Sequence, residues 1–126
     1  MEIHQLLIYK NIGQLKQPLV LDQPNPKGFL SADTDFKLEK SALWNVVTET
    51  VFYHDKLHLT EKIFKPIVAR QPFVLLGCTF NLKYLRSYGF KTFGDLWDES
   101  YDDEPDDTKR IEKIAKVLRD LEDLDN

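Results

Sequence analysis

Cysteine is nearly missing: Cys78 is the only one in 126 residues. No internal disulfide can form, and nothing points to an oxidising compartment. A positive excess is also lacking. The formal net charge is -4, which argues against non-specific binding to nucleic acid or to an anionic membrane, since both need a basic surface. No apolar run approaches the roughly 20 residues that span a bilayer. The first residues, Met1-Glu2-Ile3-His4, lack the basic start and apolar core of a signal peptide. No internal repeat is visible. These absences predict a cytoplasmic protein with no nucleic-acid and no membrane partner.

The residues present read as one globular domain over 1–126. The length is near the commonest domain size, and the 42% hydrophobic content excludes general disorder. Residues 1–40 are expected to form an irregular or partly stranded segment. Ile3 to Tyr9 and Leu19 to Leu21 are short apolar runs, and Pro18, Pro24, Pro26 and Gly28 break the second half of the segment.

From residue 41 the pattern sharpens. Leu43 to Phe52 is rich in β-branched and aromatic residues and predicts a strand. Leu59 to Arg70 carries Leu59, Ile63, Phe64, Ile67 and Val68 at helical spacing. Pro72 to Gly77 is a continuous apolar run, as in a parallel strand buried on both faces. Strand, helix and strand in this order predict a βαβ unit, hence an α/β fold with a mainly parallel sheet. A further helix is expected over Phe80 to Tyr88, capped by Thr79 and closed by Gly89, with Leu82, Leu85 and Tyr88 inward. Phe90, Phe93, Leu96 and Trp97 are expected on the same core. The last helix starts at a cap on Asp106 or Asp107. Its apolar stripe is Ile111, Ile114, Ala115, Leu118 and Leu121, and its acidic end, 120–126, is expected to fray.

The densest chemistry lies in His58-Leu59-Thr60-Glu61-Lys62-Ile63-Phe64-Lys65-Pro66. Thr60 fits an N-cap, Leu59 and Phe64 fit a hydrophobic staple, and Glu61 suits the positive end of the helix dipole. Lys62 does not suit it. A cation in the first turn opposes the dipole by a few tenths of a kcal/mol, which is reasonable where an anion such as phosphate binds the helix N-terminus. Pro66 is expected to bend the helix. In open parallel sheets, ligands bind beyond the carboxyl ends of the strands. Thr48, Glu49 and Thr50 lie at one such end, and Gly77, Cys78 and Thr79 lie just past the other.

Several blocks in this region resemble bacterial and phage glycosyltransferases. They are Val47-Thr48-Glu49-Thr50, Leu59 to Ile67, Gln71 to Gly77, Leu82-Lys83-Tyr84-Leu85 with Gly89 to Phe93, and Trp97 to Asp102 with Arg110-Ile111 after it. The resemblance spans roughly residues 44–117. The Thr60-Glu61-Lys62-Ile63-Phe64 block is also similar to the donor-binding segment of fucosyltransferase-like enzymes. The resemblance implies a small Rossmann-like, three-layer domain, half of a GT-B-type architecture, that binds a nucleoside-diphosphate sugar. It implies that Glu61 bonds a ribose or sugar hydroxyl and that Lys62 pairs with the diphosphate, with Thr48, Glu49, Thr60 and Gly77 around them. No metal or other cofactor is implied. The sequence departs from related chains at Cys78-Thr79-Phe80, where they tend to have a Pro-Gly turn. Residues 1–40 are too short for the acceptor domain of such transferases. The expected partner is therefore a separate acceptor domain or a second copy, and the alternative is a non-catalytic interaction module or remnant.

The remaining clusters have plain readings. The acids Asp98, Glu99, Asp102, Asp103, Glu104, Asp106 and Asp107 lack calcium-loop spacing and predict a solvated loop. His54 and His58 lack a third zinc ligand. Cys78 is expected as a small buried hydrophobe. Trp44, Trp97, Tyr84 and Tyr88 are expected in the core.

Overall fold

The computed structural model describes residues 40–53 and 56–124. The expectations for residues 1–39 and for His54 lie outside the described residues. Among the described residues the elements run in the order β1 (Asn45–Thr48), α1 (Glu61–Ala69), β2 (Phe73–Leu76), α2 (Asn81–Ser87), a 3-10 turn (Ser100–Asp103) and α3 (Asp107–Leu124).

β1 and β2 pair in parallel, with Asn45 opposite Phe73 and Thr48 opposite Leu76. α1 connects them, so the βαβ unit stands and the fold is a small mixed α/β arrangement on a two-stranded parallel sheet. Phe73, Val74 and Leu75 are all buried. Successive strand residues point to opposite faces, so β2 is covered on both. In β1 only Val47 is buried, while Val46 and Thr48 are exposed.

β1 is shorter than its β-rich sequence predicts. Its last rung is the bond from the Glu49 N–H to the Leu76 carbonyl, 2.8 Å. β2 ends there, and a strand without a neighbour has no ladder to extend. Beyond that point the Val51 carbonyl accepts from the Cys78 thiol at 3.3 Å, and the Phe52 carbonyl accepts from Arg110 at 2.6 Å.

α1 runs through Pro66 without interruption. It closes on Arg70, whose φ of 58° lies in the left-handed region. The Arg70 N–H donates to Ile67 and the Gln71 N–H to Pro66, the pair of bonds that satisfies the last carbonyls of a helix. α2 is closed by Gly89 at φ 88°, as its sequence predicts. Asp106 caps α3 through the N–H of Lys109, 2.8 Å.

The core gathers Val47, Ile63, Phe73, Val74, Leu75, Leu82, Leu85, Tyr101, Ile114, Val117 and Leu121. Phe93 and Trp97 pack against it. Phe90 and Leu96 do not: both are exposed. Tyr88 is also exposed, because its hydroxyl pairs with that of Tyr84 on the outer face of α2 at 2.7 Å. The acidic end of α3 stays helical to Leu124, helped by the Lys116–Asp120 pair one turn apart. No helix among the described residues is long and apolar enough to cross a membrane.

Candidate functional site

The carboxyl edge of the sheet carries the residues that sequence chemistry singles out. Thr60 is the N-cap of α1, and its hydroxyl accepts the Lys62 N–H at 3.3 Å. In a capping box, the N–H of the N-cap residue meets a glutamate or glutamine three residues later in the same helix. Here Glu49, at the end of β1, supplies that carboxylate. One oxygen accepts the Thr60 N–H at 3.0 Å and the other the Thr60 hydroxyl at 2.7 Å. Glu49 is buried, so these bonds satisfy a group that water does not reach freely. Leu59 packs on the core, whereas Phe64 is exposed with its ring 6.0 Å from that of Phe90. The start of α1 is thus fixed by a strand-borne carboxylate more than by an apolar staple.

Lys62 sits beside this network. Its ammonium lies 3.0 Å from the Thr50 hydroxyl and 3.5 Å from that of Thr60. The Glu61 carboxylate is 3.9 Å away. The side chain is 41% exposed, so its cation faces solvent at the sheet edge. Thr48, Glu49, Thr60, Glu61 and Lys62 therefore share one corner, and Thr50 joins them.

Gly77 meets that corner from β2. A Cβ there would stand 2.5 Å from the Asn81 amide nitrogen and 3.7 Å from the Glu49 side chain. The glycine makes room for Asn81, which clamps the backbone of His58 from both sides. It accepts the His58 N–H at 3.3 Å and donates to the His58 carbonyl at 3.1 Å. This clamp delivers the chain to Thr60. This packing accounts for a glycine at position 77.

The loop after Gly77 differs from its expected form. Thr79 does not cap α2: its hydroxyl donates to the Asp102 carbonyl at 2.9 Å. Phe80 takes the N-cap position with φ 64°, a conformation that a bulky residue rarely adopts. The cap comes from Asp102, whose two carboxylate oxygens accept the N–H groups of Leu82 and Lys83 at 2.8 and 2.9 Å. Burial pushes the Asp102 carboxyl above its ordinary range, against the pull of those N–H groups and of Arg86. The acidic window is thus only partly solvated. Glu99 likewise accepts from Phe93 and Thr92 and pairs with Arg86.

Arg110 is the residue the sequence pattern passes over. It is 1% exposed. Its guanidinium donates to the carbonyls of Phe52, Gly77 and Glu104 at 2.6, 3.2 and 3.0 Å and pairs with Asp107. It also lies over the Phe52 ring, 4.4 Å from its centre. One side chain from α3 thereby ties together the loops that leave both strands. The available signal was its place at the head of the series 110, 114, 117 and 121, an apolar stripe at helical spacing.

Among the described residues, no three His, Cys, Asp or Glu side chains are grouped to hold a metal ion. Cys78 is buried. Comparison with protein families, with curated proteins and with solved structures finds no match to this chain.

Proposed function

We propose that this domain is a Rossmann-like, glycosyltransferase-like module that binds a nucleoside-diphosphate sugar at the corner formed by Thr48–Thr50 and Thr60–Lys62. The observation that carries the reading is the Lys62 ammonium, held by two threonine hydroxyls at the carboxyl edge of a parallel strand pair and beside a helix N-terminus. A lysine and helix N–H groups together suit a diphosphate. In a transferase the same groups would stabilise the charge that develops on the leaving diphosphate. Glu61, half-buried beside Lys62, would accept from a ribose or sugar hydroxyl. Glu49 and Thr60 already bond each other, so their part is to set the helix start. The acceptor would come from a separate domain or partner.

A nucleotide titration tests the reading. UDP and GDP are added while thermal unfolding is followed. Ligand at a hundred times its dissociation constant stabilises by about 2.7 kcal/mol. Lys62→Ala, with its melting curve otherwise intact, should lose the shift. Absence of any shift at millimolar nucleotide would remove the proposal.

A second reading, an interaction module or homodimer, is favoured by one observation. Leu43, Val68 and Leu96 are 71%, 65% and 66% exposed, apolar side chains that a partner's surface would cover. Light scattering on an eluting size-exclusion peak distinguishes a monomer from a dimer.

A further inference from the structure

A cleft of about 290 Å³ lies at the other end of β2, between the C-terminal end of α1 and the chain leading to Phe93. Ile67, Pro72, Phe73, Phe90 and Phe93 give it apolar walls. Two cations, Arg70 and Lys91, stand on its lining. We propose that this cleft binds a small organic anion, one ring or branched apolar body bearing a single carboxylate or phosphate.

Charge supports this first. Acids outnumber basic residues in the chain, 21 to 17, and many of its cations meet them: Arg86 pairs with Glu99, Arg110 with Asp107, Lys113 with Glu104 and Lys116 with Asp120. Among the described residues no acid pairs with Arg70 or Lys91. Both are exposed, and both converge on an apolar cleft. A guanidinium presents a planar fork of donors that matches a carboxylate or phosphate.

The backbone bears on it too, since the left-handed cap of α1 falls on an arginine. Arg70 holds a left-handed conformation at φ 58°. Glycine is the residue that favours this position at a helix end, and a side chain there is strained. Strained positions concentrate at ligand-binding sites.

Size limits the ligand. The volume sits at the lower end for small-molecule sites, so a single ring fits and a nucleotide sugar does not. The cleft begins where β2 begins, at Pro72 and Phe73, whereas Gly77 lies past the opposite end. Four strand residues separate the two by roughly 13 Å. The cleft is therefore separate from the Lys62 corner, and its ligand does not depend on a nucleotide there.

The test is an amide NMR titration of the whole chain with three probes: 3-phenylpropionate, phenyl phosphate and the neutral 3-phenylpropan-1-ol. Fragments of this size bind in the millimolar range. The expected shifts cluster at residues 70–73 and 90–93, and at least one anion binds several-fold more tightly than the alcohol. The tighter anion identifies the head group. Arg70→Gly and Lys91→Ala should each weaken that anion by roughly two- to fivefold, the range of one exposed ion pair. Arg70→Gly suits the backbone conformation, and an unchanged or raised thermal midpoint separates loss of binding there from unfolding. Equal binding of the alcohol, unchanged affinity in both variants, or no clustered shift with either anion would overturn the proposal.

Discussion

Glu49 and Thr60 share two hydrogen bonds, one to the threonine N–H and one to its hydroxyl, at 3.0 and 2.7 Å. The pair joins the end of β1 to the start of α1 across eleven residues. It turns a local cap into a tertiary contact. Thr60→Ala should therefore cost more than the ~1 kcal/mol of an ordinary N-cap, because it also leaves a buried carboxylate without one of its donors. Glu49→Gln, which keeps one acceptor for the N–H, should cost less than Glu49→Ala. Urea unfolding of both single alanine variants and of the double variant checks the coupling. The double variant should lose less than the sum by about 1 kcal/mol or more.

Arg70 offers a gain in stability. Glycine in its left-handed position removes a steric penalty of about 1 kcal/mol. Arg70→Gly should raise the thermal midpoint by a few degrees, since a domain of this size shifts by roughly 4 °C for each kcal/mol. A lower midpoint would mean that the arginine side chain stabilises the domain through contacts worth more than the strain.

Arg110 should tolerate no replacement. Removing it leaves the buried Gly77 carbonyl, the half-buried Phe52 and Glu104 carbonyls and Asp107 without this donor. Breaking a buried charged network costs about 3–5 kcal/mol. Arg110→Met fills much of the volume and should still lose most of that. Arg110→Lys should not restore it, because one ammonium cannot span donors set by a planar fork. Denaturant midpoints of the two variants, compared with a surface control such as Arg119→Met, measure the loss.

Acid should act on Asp102 and on the Asp98 and Glu104 carboxyls with opposite sign. The Asp98 and Glu104 carboxyls are held below their ordinary values by Ser100 and by Lys113. Their contributions are present above the ordinary carboxylate range and fade as pH falls, and that of Asp98 is small because it faces solvent. Asp102 titrates above its ordinary value of 3.8 in the folded protein. The native state thus takes up its proton first, and Asp102 gives back stability as pH falls through its folded value. The stability gap between the wild type and Asp102→Asn should widen between neutral pH and pH about 4. A gap that narrows would show that the bonds to Leu82 and Lys83 outweigh burial.

Sequence reading reached the features whose causes are local. The Thr60 cap, the Gly89 and Asp106 helix ends, and the buried run through Phe73 each depend on neighbours a few residues away. Hydrophobic period and side-chain type express such causes directly. The misses share another cause. Thr79 loses its cap role because Asp102, some twenty residues on, supplies a better one. The end of β1 is set by where its partner strand stops. Tyr88 leaves the core because Tyr84 gives its hydroxyl a partner outside. At the candidate site, Lys62 was legible as a misfit with the helix dipole. Its threonine anchor at Thr50 and the Asn81 clamp on His58 were not, since their sequence distances are 12 and 23.

Arg110 also bears on the order in which the molecule is made. The carbonyls of Phe52 and Gly77 are synthesised long before the side chain that satisfies them. While residue 110 is still within the ribosome, β1, α1 and β2 can all be outside it, with the loops beyond both strands lacking their donor. The corner around Lys62 adjoins those loops. It should therefore gain its final shape late, when α3 docks, and a chain ending before residue 110 would carry every candidate binding residue without the side chain that joins the loops beside them.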